Sequence, residues 1–290
     1  ATTSRVHTAV KIAPHYEGPV VYVPDASRSV SVAQSLLSEQ AASYIDEINA
    51  DYDKVRHQHA NKKQTPLWPL AKARANKTPI SWSDYLPPVP KFIGRRVFRN
   101  FDLTELAKYI DWGPFFQTWD LAGPFPAILK DEIVGTEAVR VYADGQRMLK
   151  RLIEGRWLTA SGVIGFWPAN TENDDDIALY TDECRQHKLL TWWGLRQQTE
   201  KQMIEGVMRP SRCLADFVAP RASGLKDYVG MFAVTAGIGV EKKEKYFIDD
   251  LDDYSAIMLK SLADRLAEAF AEAMHHRVRT DLWGYAPHEG

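Results

Sequence analysis

An apolar stripe over residues 259–278 constrains the fold more than any other feature. Its members recur at the spacing of an α-helix: Leu259, Leu262, Leu266, Ala269, Phe270, Ala273, Met274 and Val278. A helix with one continuous apolar face has to bury it against a second layer. Strand-like runs at 163–167, 177–181, 188–193 and 228–235 can supply that layer. The alternation of strands and helices favours an α/β or α+β fold, with a mixed, twisted sheet and flanking helices.

The 290 residues predict about two domains. Near the start, the pattern predicts the end of a helix at 3–12, a buried parallel strand at 18–23 and a helix at 31–60. The sequence between 61 and 94 is rich in proline, which predicts a linker without regular secondary structure. A second domain is predicted over 95–290.

Composition excludes several classes of function. The net charge of −2 gives no electrostatic case for nucleic acid or an anionic membrane, and no apolar run could span a bilayer. Cys184 and Cys213 do not form a disulfide framework, and Cys213 is expected to be a small buried residue. Because common catalytic and metal-ligand motifs are absent, we predict a cytoplasmic protein with no catalytic or metal-binding residue in this chain.

The segment Tyr109–Trp119 crowds large aromatic residues around one carboxylate, Asp111. Asp102 is predicted to cap a short helix before it, and Gly113 and Pro114 to end that helix. Asp111 would then lie at a helix C-terminus, where the macrodipole disfavours negative charge. Such a carboxylate beside aromatic rings indicates a pocket for a cation. The alternative is a buried aromatic hinge with a solvated Asp111.

Three acids on the last predicted helix form a second candidate. Asp264, Glu268 and Glu272 are spaced four residues apart and so share one face. One interpretation is an acidic edge that receives a cationic ligand. The alternative is a solvated face with Lys260 and Arg265 as counter-ions. The acidic run at 174–176 is predicted to be a solvated loop.

Five motifs occur in order along the chain: residues 109–129, GVIGFWPAN at 162–170, LRQQTEK at 195–201, CLADFVAP at 213–220 and ADRLAEAFAE at 263–272. In order and spacing they resemble the C-terminal reactivation domain of cobalamin-dependent methionine synthase. Residues 1–30 resemble the last helix and strand of the same enzyme's cobalamin-binding domain. The resemblance makes 1–60 the C-terminal part of that doubly wound domain, 61–94 a linker and 95–290 the reactivation domain.

The resemblance implies part of a methyltransferase that moves a methyl group from methyltetrahydrofolate through cobalamin to homocysteine. This region would support reductive methylation of cob(II)alamin, using S-adenosylmethionine and an electron from a flavodoxin-like protein or a reductase. Its other partner would be the cobalamin-binding domain of the same enzyme. Asp111 and Glu268 match family positions that bind S-adenosylmethionine, and Ala1 matches one beside the cobalamin tail. Zinc is implied only for the parent enzyme.

One family motif is missing and two other interpretations stay open. The family's Arg-x-x-x-Gly-Tyr-Pro loop does not occur in this sequence, so we expect weak S-adenosylmethionine binding or none. One alternative is a non-catalytic docking module that caps cobalamin and receives the electron donor, through Lys242, Lys243 and Lys245. The other is an unrelated enzyme that pairs Asp111 with a histidine such as His187.

Overall fold

The computed structural model describes residues 3–24, 26–60 and 66–289. The chain divides into two compact units, residues 1–68 and 69–290. This division falls inside the stretch predicted to be a linker.

The first unit is helical in its described part, with α1 Arg5–His7, a π-helical turn Thr8–Ile12, a 3-10 turn Ala13–His15, α2 Ala26–Leu37 and α3 Ala41–Ala60. The single helix predicted over 31–60 is therefore two helices. Ser38 explains the break, because its Oγ donates to the carbonyl of Ser35 and accepts from the backbone N–H of Gln40. Serine side chains that bond to nearby backbone in this way compete with the helix.

The strand predicted over residues 18–23 is wrong, because this stretch has no strand structure. A strand needs a neighbour for its backbone hydrogen bonds. None of the described residues of this unit forms a strand that could serve. The backbone N–H of Tyr22 instead donates to the hydroxyl of the buried Tyr52, at 2.8 Å.

The second unit combines a five-stranded sheet with helices on one face. Its strands are β1 Gly94–Phe101, β2 Thr159–Glu172, β3 Asp176–Tyr180, β4 Lys188–Trp192 and β7 Asp227–Ile238, with a separate hairpin of β5 Met203–Ile204 and β6 Val207–Met208. Its α-helices are α4 Leu70–Ala75, α5 Leu103–Leu106, α6 Gly113–Gln117, α7 Gly135–Glu154, α8 Val240–Asp249 and α9 Asp253–Arg277. These elements confirm the predicted α+β class.

Strand β2 is the central strand of the sheet and pairs with three others. On one side it pairs with β7, and on the other it pairs first with β1 and then with β3. Every strand pairing is antiparallel, where the sequence predicted a mixed sheet. A short turn after Glu172 returns the chain directly beside itself, and such turns join antiparallel strands. Pro168 lies where β2 changes from one neighbour to the other, so its missing N–H falls at the gap between them.

The main core lies between the sheet and helices α7 and α9. All eight residues of the predicted stripe are buried, seven of them on α9 and Val278 directly after it. Gly162 of β2 lets this helix approach closely, because a Cβ there would lie 3.0 Å from the ring of Phe270. A smaller apolar cluster forms around Ala169, Ile177 and Cys213, and the predicted burial of Cys213 is confirmed.

Residues 69–94 belong to the second unit and pack on the rest of it. Arg74 Nε donates to Asp175 at 2.7 Å, and Lys77 Nζ donates to Asp174 at 2.7 Å. Farther along, the carbonyl of Pro88 accepts from Trp283 Nε1 at 2.8 Å. These contacts hold the proline-rich stretch along the surface even though most of it has no regular secondary structure.

Candidate functional site

Asp111 lies on the surface between two short helical turns. A 3-10 turn, Ala107–Tyr109, ends just before it, and helix α6 begins just after it. Gly113 and Pro114 were expected to stop a helix, but they begin one, because proline suits the first turn, where no N–H is needed. Asp111 Oδ1 accepts from the backbone N–H of Gly113 at 2.9 Å. The carboxylate is therefore stabilised at a helix start, and not strained at a helix end as the sequence had suggested.

The aromatic residues that follow Asp111 in the sequence form a buried layer, here called the aromatic floor. Trp112, Phe115 and Phe116 are buried, and Trp112 packs edge-on against Phe115 at 5.1 Å between ring centroids. Gly145 of α7 makes room for them, because a Cβ there would lie 2.7 Å from Phe115. The rings thus belong to the core and fix the position of Asp111, which matches the buried-hinge alternative for the aromatic residues.

Tyr254 supports the far end of this segment. Its ring lies 4.8 Å from the ring of Trp119, and its hydroxyl donates to Asp144 Oδ2 at 2.8 Å. Burial, helped by the neighbouring Asp144 carboxylate, raises the pKa of Tyr254 to about 12. The phenol therefore stays protonated near neutral pH and keeps donating this hydrogen bond.

Glu268 lies on the exposed side of α9. No described residue forms an ion pair or a hydrogen bond with the carboxylates of Asp264, Glu268 or Glu272. Lys260, one of the two expected counter-ions, pairs with Glu244 of α8 at 3.0 Å. Three acids along one helix face without a partner repel each other by a few tenths of a kcal/mol per pair. This face would therefore gain from a bound cation.

The segment that carries Asp111 runs along the same helix as Glu268. Thr118 Oγ1 lies 3.2 Å from Ser261 Oγ, and Tyr109 Oη lies 3.5 Å from His276 Nδ1. Glu268 follows Ser261 by about two turns, or about 10 Å, on nearly the same face of the helix. The segment that carries Asp111 thus adjoins the helix that carries Glu268, and each acid lies between these two contacts along its own segment.

The remaining candidates are Ala1, three lysines of α8 and His187. Ala1 falls outside the described residues. Lys243 stacks over the ring of Trp157 at 4.6 Å and Lys245 pairs with Asp249 at 2.8 Å, which leaves Lys242 as the unengaged lysine of the three in the described part of the chain. His187 lies in the connection between β3 and β4, away from the helical segment that carries Asp111 in sequence and in fold.

One cluster was missed by the sequence analysis. The acidic run at 174–176 is not simply a solvated loop, because Asp175 is buried and accepts from Arg196 Nε at 2.7 Å. Arg196 also donates to Asp216. Burial opposes the charged form of Asp216, but hydrogen bonds from Arg196 and from the backbone of Cys213 outweigh it and lower the pKa of this carboxyl. The signal was Arg196 directly after the largely apolar run 189–195, because an arginine is buried only when paired.

Residues 102–290 match the family model described as the vitamin B12-dependent methionine synthase activation domain. The chain belongs to this family, a domain of a methyltransferase of methionine biosynthesis. Among solved structures it resembles one titled "Crystal Structure of the MetH Reactivation Domain bound to AdoHcy", with 47% sequence identity and a TM-score of 0.73. The match covers 78% of this chain and 67% of that chain.

Two general properties complete the description. Within residues 3–24, 26–60 and 66–289, no helix has the length and apolar character needed to cross a membrane. The same residues hold no cluster of three or more His, Cys, Asp or Glu side chains arranged to bind a metal ion.

Proposed function

We propose that this chain binds S-adenosylmethionine on the surface shared by Asp111 and Glu268, and so supports reductive methylation of cobalamin in a cobalamin-dependent methionine synthase. The observation that carries the proposal is the pair of exposed carboxylates, on adjoining elements, that no described cation neutralises. The site residues and the reaction rest on this chemistry together with the family.

The charges of the ligand fit this surface. S-adenosylmethionine carries a sulfonium and an α-ammonium at one end, so its recognition calls for carboxylates and not for a nucleophile. Because both acids are exposed, solvent weakens the attraction of each carboxylate for the ligand. Binding therefore also requires packing of the ligand against a well-defined surface. The packed aromatic floor that follows Asp111 and the helix that carries Glu268 provide such a surface. These two elements would hold the sulfonium methyl group in one orientation.

The similar structure bound to AdoHcy refines the assignment. AdoHcy, S-adenosylhomocysteine, has lost the methyl group and with it the sulfonium charge, but it keeps the α-ammonium. An acid that faces the α-ammonium can therefore contribute to the binding of both ligands. For this chain we assign one carboxylate of the pair to that group and the other to the sulfonium.

Cobalamin and the electron donor complete the proposed role. Cobalamin, when bound, supplies the metal centre that accepts the methyl group. The cobalamin-binding domain of the same enzyme would hold it, and a flavodoxin-like protein or a reductase would supply one electron. The described residues of this chain contribute no metal-ligand cluster, so their part is to bind and orient S-adenosylmethionine.

Calorimetric titration with two ligands tests the site. S-adenosylmethionine and S-adenosylhomocysteine are titrated into the unaltered chain, Asp111→Asn and Glu268→Gln. We expect weak binding to the unaltered chain and about tenfold weaker binding when the acid that faces the α-ammonium is neutralised, for both ligands. Neutralising the acid that faces the sulfonium should weaken only S-adenosylmethionine.

Glu241→Gln is the matched control, since Glu241 is an exposed acid on α8 with no partner among the described residues. It should leave both affinities unchanged. The proposal fails if neither ligand binds, or if Asp111→Asn and Glu268→Gln bind both ligands as tightly as Glu241→Gln does.

A further inference from the structure

The geometry points to a second binding site, for a phosphate-bearing anion, in a cleft of the second unit formed by Gln197, Lys201, Arg209, Pro210 and Arg212. We refer to it as the cationic cleft. Its volume is about 380 Å³. Small-molecule sites in proteins commonly span roughly 300–1,000 Å³, so the cleft is large enough for a diphosphate or a small nucleotide.

The lining of the cationic cleft is strongly biased in charge. Of the five described residues that line it, three are cationic and none is a carboxylate. The acids of the same loop, Glu200 and Glu205, are absent from its walls. Positive charges around one cavity repel each other, and a bound anion reduces that repulsion.

The cations of the cleft are not engaged with acids. In the part of the chain that the structure describes, the guanidinium groups of Arg209 and Arg212 form no ion pair and no hydrogen bond. Lys201 Nζ donates to neutral oxygens, Gln197 Oε1 at 2.8 Å and Thr199 Oγ1 at 3.4 Å. Elsewhere in this unit, cations such as Lys77, Lys188 and Arg221 pair with carboxylates.

The backbone of the cleft is held in place on both walls. The N–H of Gln197 donates to the carbonyl of Arg212 at 2.9 Å, and the N–H of Arg209 donates to the carbonyl of Gln202 at 3.3 Å. Asn76 Nδ2 holds the carbonyl of Arg209 at 2.8 Å, and the buried Arg196 directly precedes Gln197. The side chains therefore project from a fixed frame, which reduces the entropy lost on binding.

The residue types suit a phosphate-bearing anion. Two guanidinium groups present paired N–H donors that match the oxygens of a phosphate, and a lysine adds a point charge. Gln197 adds an amide beside them. A terminal diphosphate, either free or carried on a nucleotide, offers enough oxygens for all three cations at once.

Titration calorimetry with inorganic pyrophosphate and with ADP tests the site in the 290-residue chain. The test variant is the double substitution Arg209→Gln and Arg212→Gln. Both side chains are exposed, so their loss leaves the backbone frame intact. The matched control is Arg95→Gln with Arg99→Gln, two exposed arginines of β1 that also lack a partner among the described residues.

We expect pyrophosphate to bind the unaltered chain and the control alike, and the test variant more than about tenfold more weakly. Added salt should weaken binding in all three proteins. Tighter binding of ADP than of pyrophosphate would assign the phosphate to a nucleotide, and the reverse order would assign it to a free polyphosphate.

Equal affinity of the test variant and the control would overturn the site, as would an absence of binding by both probes. Tighter binding of a tetraglutamate peptide than of either probe would overturn the phosphate assignment. Circular dichroism melting of both double variants shows whether each is folded. If the test variant proves unfolded, Lys201→Gln replaces it with the same expected loss.

Discussion

Arg196 and Asp216 form an ion pair closed to solvent, with Nη2 2.6 Å from Oδ1 and side chains that are 0% and 1% exposed. Asp175 accepts from the same guanidinium at 2.7 Å. Burial opposes the charge of Arg196, but its hydrogen bonds to Asp216 and Asp175 outweigh burial and raise its pKa. One cation thus joins the turn after β2 to the segment that follows Cys213.

Removing the cation should be costly. Arg196→Ala leaves two carboxylates buried without their partner, and we expect it to lower the free energy of unfolding by about 3–5 kcal/mol. Urea denaturation measures the change. Arg95→Ala, on an exposed arginine, is the control and should change stability by less than about 0.5 kcal/mol. Equal effects of the two substitutions would contradict a structural role for the buried pair.

Stability should fall in acid, in part through Asp216. Its pKa is lower in the folded chain than the value of about 3.9 for an unfolded aspartate. The folded state therefore binds fewer protons. The stabilisation is present above about pH 3.9 and is lost as the pH falls through the folded pKa.

Asp216→Asn should remove this contribution. Its free energy of unfolding should fall less than that of the unaltered chain between about pH 5 and about pH 2, as measured by urea denaturation across that range. Asp84→Asn serves as the control, because Asp84 is an exposed aspartate outside the buried cluster. The prediction fails if the slope of Asp216→Asn matches that of the unaltered chain.

Gly194 should not tolerate a side chain. A Cβ at this position would lie 1.9 Å from the carbonyl oxygen of Asp175, so backbone would have to move. We expect Gly194→Ala to lower the free energy of unfolding by about 2–3 kcal/mol. Gly237→Ala is the matched control, because nothing lies within 4 Å of its added Cβ. A melting temperature of Gly194→Ala equal to that of the control would count against the close approach.

Gly145 links packing to the proposed ligand site. A Cβ there would meet the ring of Phe115, which is 0% exposed, so Gly145→Ala should displace the segment that carries Asp111. Overpacking costs about 1–3 kcal/mol, and the better helix propensity of alanine offsets about 1 kcal/mol of it. We expect weaker S-adenosylmethionine binding by calorimetry, with a native-like melting curve. An unchanged affinity would mean that the aromatic floor does not position the site.

Local sequence patterns predicted several features of the fold correctly. The stripe on α9 and the burial of Cys213 were predicted correctly, and Asp102 caps α5 as expected, accepting from the N–H of Thr104 at 2.8 Å. The stripe and the cap depend on residues close together in sequence, and the burial of Cys213 was predicted from its residue type. The strand predicted at 18–23 failed because an apolar run cannot specify whether a neighbouring strand exists.

The candidate site was also predicted only in part. The sequence singled out Asp111 and Glu268, but it placed Asp111 at the wrong end of a helix, since Pro114 can either end one helix or begin the next. One of the two interpretations also made Lys260 a counter-ion of the acidic face of α9, whereas Lys260 pairs with Glu244 of α8. Which cations remain free depends on the packing of α8 against α9.

The sequence by itself determined the α+β class, the buried face of α9 and the two acids of the proposed site. Their residue types and spacing are fixed along the chain. Only the tertiary structure decided that the sheet is antiparallel, that Asp175 is buried with Arg196 and that Arg209 and Arg212 share an unneutralised cleft. These features depend on residues brought together from separate segments, and the energy of a charge depends on which neighbours surround it.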